Sequence, residues 1–189
     1  MDSPLHLLDS TYQEHSESVV QAEGKMNELC SLRSMDEQLS PVERARYARH
    51  LILPEMGEEG QKKLKKSSVI VVGAGGLGSP TLLYLAAAGV GKIGIIDDDK
   101  VDITNLQRQV IHSTAAVGSL KVESAANRIR ELNPEIEVVE HNIRLDVNNA
   151  LDLLSDWDVV IDGTDNFPTR YTINDACEIL RKPWVFGSI

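Results

Sequence analysis

The chain has 189 residues, 42% of them apolar and 4% aromatic, which suits one globular domain with an aliphatic core. A net charge of −10 argues against non-specific binding to nucleic acid or to an anionic membrane. No apolar run approaches the roughly 20 residues that a membrane-spanning helix needs, and Cys30 and Cys177 stand too far apart to suggest a disulfide framework or a metal cluster within this chain.

The charge is unevenly spread. Residues 1–40 carry eight acids and two bases, a balance of −6, and the remainder carries −4. Residues 1–39 are polar and lack a strong period, so they read as an acidic, mobile N-terminal extension. Leu29, Leu32, Met35 and Leu39 can line one face of a short helix there, and Cys30 reads as an ordinary thiol. The stretch lacks the basic start and apolar run of a secretory signal and is too acidic for a mitochondrial presequence. The expected compartment is the cytoplasm.

Order is expected from residue 40 to residue 189. Ser40-Pro41-Val42-Glu43 predicts a capping box with proline at the first helical position. That helix carries Arg44, Arg46, Tyr47 and Arg49 and ends at Leu51-Ile52-Leu53-Pro54. A second helix is expected over about 58–66. Its lysines Lys62, Lys63, Lys65 and Lys66 read as a solvated face with favourable charge at a helix C-terminus.

The stretch Ser68–Asp97 organises the rest. Val69 to Val72 is a β-branched run suited to a buried strand. Gly73, Gly75 and Gly78 give the spacing G-x-G-x-x-G, with Gly76 between them. Leu82, Leu83, Leu85 and Ala86 follow at helical spacing, Gly89 and Gly91 end the helix, and Ile93 to Ile96 is a second strand closing on Asp97. Glycines in such a turn let backbone N–H groups approach a phosphate at the helix N-terminus. An acid ending the second strand can accept hydrogen bonds from ribose hydroxyls. A glycine turn that merely packs helix on strand is the bland alternative, and the strand, helix and acid together weigh against it.

Residues 98–109 form a long polar loop where a plain α/β unit would turn quickly into its next helix, and such loops are usually functional. A helix is expected over about 119–132, with Val122, Ala125, Ala126, Ile129 and Leu132 on one face. Lys121 lies near its start, where the helix dipole disfavours a cation. Lys121 is therefore a candidate anion ligand, with a solvated lysine as the alternative. Ile136 to Val139 reads as a third strand, 147–154 as a short helix, and Val159 to Asp162 as a fourth strand. Asp165 then sits just beyond a strand's carboxyl end, where open α/β sheets place ligands. A helix over 169–180 puts Ile173, Ala176, Cys177 and Leu180 on one face, and a fifth strand begins at Pro183.

The order of glycine turn, Asp97, Asn105 with Arg108, Lys121 and Asp165 resembles the ubiquitin-activating-enzyme-like adenylyltransferases. Within them the chain is most similar to the molybdopterin-synthase and thiamine-biosynthesis sulfur-carrier adenylyltransferases and to the adenylyltransferase–sulfurtransferases. The residues that carry the likeness are R-Y-A-R-H-L at 46–51, G-A-G-G-L-G-S at 73–79, L-A-A-A-G-V-G at 85–91, D-x-D at 97–99, N-L-Q-R-Q at 105–109, G-S-L-K-V-E-S-A at 118–125 and T-D-N at 164–166. The context of R-Y-A-R-H-L and of A-A-V-G-S-L-K leans away from the sister tRNA-modifying dehydratases.

The resemblance implies an α/β fold, Rossmann-like and doubly wound, with a mainly parallel sheet and helices on both faces. It implies ATP and Mg²⁺ as cofactors and adenylation of the C-terminal glycine carboxylate of a ubiquitin-like sulfur-carrier protein. Asp97 would hold the ribose, Gly73, Gly75, Gly76 and Gly78 would face the phosphates, and Asn105, Arg108 and Lys121 would bind phosphate oxygens. Asp165 would bind Mg²⁺, and Arg49 would reach the partner subunit's ATP across a homodimer. The family's later parts include a catalytic cysteine, two C-x-x-C zinc pairs and, in some members, a rhodanese domain. None of these stands in the 189 residues, so the chain reads as the nucleotide-binding half of a longer enzyme, and zinc is expected only in such a parent. Two alternatives stay open: a non-catalytic module that binds nucleotide or dimerises, and an NAD-dependent oxidoreductase.

Overall fold

The computed structural model describes residues 38–187. The expected helix through Leu29, Leu32 and Met35 and the thiol of Cys30 lie outside the described residues.

From Pro41 onward the chain alternates helix and strand. Helices α1 (Pro41–Arg46), α2 (Ala48–Leu51) and α3 (Gly57–Lys66) come first. Then follow β1 (Ser68–Val72), α4 (Gly78–Ala88), β2 (Lys92–Ile96), α5 (Lys121–Leu132), β3 (Glu137–His141), α6 (Ala150–Leu154), β4 (Val159–Asp162), α7 (Phe167–Leu180) and β5 (Trp184–Phe186). Single 3₁₀ turns at Ile103–Asn105 and Thr114–Ala116 interrupt the long connection between β2 and α5.

Among the described residues all strand pairings are parallel, and the sheet order is β3-β2-β1-β4-β5. The chain starts in the middle, works outward through β2 and β3, then returns to the other side of β1. Parallel strands need crossover helices, and these cover both faces of the sheet. Alternation along β1 and β2 divides the core accordingly. Val69, Val71, Ile93 and Ile95 pack with Leu82, Ala86, Val122, Ala126 and Ile129 of α4 and α5. Ile70, Val72, Ile96 and Val160 pack with Leu154, Ile173, Ala176 and Cys177 of α6 and α7. Cys177 is the small buried core residue that its helical position predicts, and burial pushes its thiol above the ordinary range. The fold is the doubly wound α/β architecture expected from the sequence.

Two local expectations change. The single helix through Arg44, Arg46, Tyr47 and Arg49 is broken at Tyr47, whose φ of −97° and ψ of 15° separate α1 from α2. The Tyr47 ring is buried, and its hydroxyl accepts from Asn133 Nδ2 at 2.8 Å. Asn133 also donates to the Ala86 carbonyl at 2.8 Å, so a tertiary contact at the ends of α4 and α5 overrides the local helical preference. The lysine face of α3 is not wholly solvated either. Lys65 reaches the buried Glu43 carboxylate at 2.9 Å, and Lys62 pairs with Glu58 and Glu59.

Candidate functional site

The sheet order reverses between β1 and β4, and the connections leaving their carboxyl ends part there. Open α/β sheets bind ligands in the crevice this creates. Here it is a cleft of about 700 Å³, within the usual range for small-molecule sites. Gly73, Gly75 and Gly76 form its floor, Asp97, Arg108, Gln109 and Lys121 one wall, and Gly163 to Asn166 with Arg170 the other.

The glycine turn has this shape because it must pass close to itself. Gly73 has a φ of +94°, a conformation open to glycine and strained for other residues. A β-carbon on Gly78 would collide with the Gly73 carbonyl. Gly73 N–H donates to the Ile96 carbonyl at 2.7 Å, which ties the turn to the end of β2.

Asp97 braces the same turn. One oxygen accepts from the Ala74 N–H at 2.8 Å and the other from the Asp99 N–H at 2.9 Å. The carboxylate therefore orders both loops that flank the cleft, and it keeps lone pairs for a further donor. Lys121 is the first residue of α5, its side chain is 8% exposed, and its ammonium lies 2.8 Å from Asp99. The stem of Arg108 crosses Gly76, and its guanidinium donates to the Thr104 carbonyl at 3.3 Å. Two cations thus flank the glycine turn.

Asn105 has a different place. Its side-chain oxygen accepts from the Asp102 N–H at 3.2 Å, while Asp102 accepts from Thr104, so the pair caps its own 3₁₀ turn. These bonds to Thr104 hold the Asp102 carboxyl below its ordinary range. Asn105 shapes the loop that presents Arg108 and does not line the cleft. Arg49 is exposed on α2 and does not line the cleft either.

On the opposite wall, Asp162 is fully buried at the end of β4. One of its oxygens accepts from the Thr164 N–H at 2.9 Å and hydroxyl at 2.7 Å. Arg170 donates to the Thr164 carbonyl through Nη2 at 2.6 Å and Nε at 3.2 Å, and stacks on Phe167 and Phe186. This holds the segment before Asp165 from both sides. Asn166, not Asp165, caps α7, accepting from the Thr169 N–H at 3.0 Å. Asp165 is exposed in the cleft wall. An exposed carboxylate beside a phosphate-sized turn suits Mg²⁺, which binds one or two carboxylates together with substrate phosphates.

Several site residues carried no expectation. Gln109 is buried in the cleft wall with Oε1 unpartnered among the described residues. Its position inside N-L-Q-R-Q was a usable signal. Asp162 and Arg170 support the Asp165 segment through short-range bonds to Thr164, two residues from Asp162 and six from Arg170. Outside the cleft, His112 is buried between Ala74 and Ser124.

The model of the ThiF family matches residues 47–189. The chain is 59% identical over 151 residues to "Probable adenylyltransferase/sulfurtransferase MoeZ" of Mycobacterium tuberculosis, covering 80% of this chain and 38% of that protein. It is 56% identical to the adenylyltransferase and sulfurtransferase MOCS3 of Aedes aegypti, over 80% of this chain and 35% of that one. It is 52% identical to the sulfur carrier protein adenylyltransferase of Thermus thermophilus, over 76% of this chain and 53% of that one. The chain therefore spans about a third to a half of the relatives it matches. Among solved structures, the E. coli tRNA N6-threonylcarbamoyladenosine dehydratase in complex with ATP superposes with a TM-score of 0.74 at 32% identity, covering 78% of this chain and 60% of that one.

Proposed function

This chain belongs to the ThiF family, and on that premise we propose that its cleft binds ATP with Mg²⁺ and serves to adenylate the C-terminal glycine carboxylate of a ubiquitin-like sulfur-carrier protein. The observation that carries the reading is the pair of cations, Arg108 and Lys121, set beside the Gly73–Gly78 turn with Asp165 on the facing wall. Hydride transfer to or from NAD needs no such set. The identity of 52–59% to named adenylyltransferases, against 32% to the tRNA dehydratase, favours the sulfur-carrier branch.

The chemistry follows from charge. A terminal carboxylate is already an anion, so its attack on the α-phosphorus needs no general base. The new bond joins carboxylate oxygen to α-phosphorus, the bond from α-phosphorus to the bridging oxygen breaks, and pyrophosphate leaves with that electron pair. The barrier lies in bringing two anions together and in charge on the phosphate oxygens. Fixed cations and turn N–H groups lower it by positioning and electrostatics. Arg108 and Lys121 would bind phosphate oxygens, Asp97 the ribose, and Asp165 the metal, whose contribution is charge neutralisation on the phosphates. Arg49, which does not line its own chain's cleft, would act in the cleft of a second copy in a homodimer.

Calorimetric titration of the chain with ATP–Mg²⁺ and separately with NAD tests the reading. ATP should bind, EDTA should weaken it, and NAD should bind at least tenfold less tightly. Preference for NAD would return the chain to the oxidoreductase reading. ATP binding without any pyrophosphate release in the presence of carrier would leave a nucleotide-binding module. Mixing Arg49→Ala with Asp165→Asn subunits would regain one intact site per heterodimer if Arg49 acts in trans.

A further inference from the structure

His112 is buried behind the glycine turn and has no part in the chemistry above. It does not line the nucleotide cleft. It lines a second pocket of about 500 Å³ between residues 110–119 and α5, with Ser124 beside it. Its Nε2 lies 3.1 Å from the Ala74 carbonyl oxygen and its Nδ1 lies 2.9 Å from Ser124 Oγ. A carbonyl can only accept, so Nε2 carries the proton. In the neutral ring Nδ1 then accepts from the Ser124 hydroxyl. Burial holds the imidazole below its ordinary range; the bond to the Ala74 carbonyl pulls the other way, and the charges of Lys121, which lowers it, and Asp97, which raises it, act more weakly.

Ala74 is the residue held from both sides. Its carbonyl accepts from His112, and its N–H donates to Asp97 at 2.8 Å. Side chains from two other segments therefore fix one residue of the turn that lines the cleft, and Ser79 Oγ adds a longer bond to the same carbonyl at 3.4 Å. The bond from Ser124 in turn fixes the imidazole in one orientation.

We propose that His112 is a positioning residue of the nucleotide site: through the Ala74 carbonyl it sets the orientation of the glycine turn and of the Asp97 carboxylate before ligand arrives. The proposal rests on the reading that this cleft binds ATP. Holding the turn in its binding geometry in advance removes an ordering cost from binding, so loss of the clamp should appear as lost affinity.

The test uses the 189-residue chain with His112→Phe, His112→Gln and Ser124→Ala. Two quantities are read: hydrogen exchange of the Ala74 amide without ligand, and the Kd for ATP–Mg²⁺. His112→Phe fills the space and removes the donor. It should speed Ala74 exchange and weaken ATP about three- to tenfold, the worth of one net hydrogen bond. The His112→Gln amide can donate to the same carbonyl and should restore most of both. Ser124→Ala should move both in the same direction by less, and it decides the matter if His112→Phe does not fold. A packing role alone would lower the melting temperature of His112→Phe while Ala74 exchange and ATP affinity stay at the parental values, and that overturns the proposal. So does a His112→Gln variant as impaired as His112→Phe. If the parent chain fails to bind ATP, the nucleotide reading falls, and with it the proposed role in binding. The exchange data then still decide whether His112 holds the turn.

Discussion

The Lys121 ammonium lies 2.8 Å from the Asp99 carboxylate, with the lysine side chain 8% exposed and the aspartate 67%. The pair is lopsided: the cation has left water while the anion has not. Without ligand the lysine is held by an internal anion, and a phosphate entering the cleft competes with it. Asp99→Asn should therefore lower the melting temperature of the free protein. Stripping a fully buried pair of one partner costs about 3–5 kcal/mol, and water around Asp99 reduces that to about 1 kcal/mol. The same variant should show a larger rise in melting temperature on adding ATP–Mg²⁺ than the parent, because the freed lysine has no rival anion. Thermal scans with and without nucleotide give both numbers.

Gly78 has no room for a side chain, since its β-carbon would meet the Gly73 carbonyl. Gly78→Ala must push the turn open or tilt α4. It should cost about 1–3 kcal/mol, the usual penalty for overpacking. ATP affinity should fall about tenfold or more as the N–H groups lose their aim. Urea denaturation and calorimetry on one preparation separate the two effects. Gly118, whose β-carbon would meet nothing within 4 Å but whose φ is +92°, makes the control: Gly118→Ala should cost stability without touching nucleotide affinity.

Asp97 binds backbone on both oxygens, so its removal has two consequences. Asp97→Ala should weaken ATP by about 1–3 kcal/mol through lost charge-assisted bonds. It should also destabilise the ligand-free chain, because the Ala74 and Asp99 N–H groups lose their acceptor. A variant that loses affinity with no change in urea midpoint would mean that water replaces the carboxylate at both amides.

Neighbouring residues on the opposite wall divide the work. Asn166→Ala removes the cap of α7 and should cost about 1 kcal/mol of stability. Asp165→Asn leaves that cap in place and should stay within about 0.5 kcal/mol of the parent. It should instead abolish the dependence of ATP affinity on Mg²⁺, because an amide is a poor ligand for that ion. Titrations with and without EDTA check the second effect. Identical stability losses in the two variants would place Asp165 in the capping structure.

Much of the fold could be read directly from local pattern. The runs Val69 to Val72, Ile93 to Ile96 and Val159 to Asp162 are buried parallel strands as their composition requires, and Gly89 ends α4 in the left-handed conformation. Asp97, Arg108, Lys121 and Asp165 meet in one cleft because each follows a strand end or begins a helix on the same side of the sheet. What escaped was tertiary. The break at Tyr47 answers to Asn133, 86 residues away. The Lys65–Glu43 and Lys121–Asp99 pairs, and the His112 bond to Ala74, join segments with no shared period. Asn105 is a different case. Asp102 and Asn105 at this spacing form a local cap, and that pattern was present in the sequence.

Two histidines, the buried His112 and the half-buried His141, make stability depend on pH. Burial holds both His112 and His141 below their ordinary value of 6.5. His141 Nε2 is buried without a partner among the described residues, and its ring meets Trp157 edge-on. Between the folded and unfolded values the unfolded chain binds more protons, so stability rises with pH across that window. The contribution is fully present above pH 6.5 and is lost as pH falls below it. Carboxylates act in the same direction further down. Bonds from Ser68 hold Asp158 below its ordinary 3.8, so its contribution is present above that value and lost as pH falls through the folded value. Urea midpoints should therefore decline in two stages, the first below pH 6.5 and the second below pH 3.8. His141→Gln should shrink the first stage to the His112 share and leave the second. A midpoint constant from pH 7 to pH 5 in the parent would show that neither imidazole is held neutral by the fold.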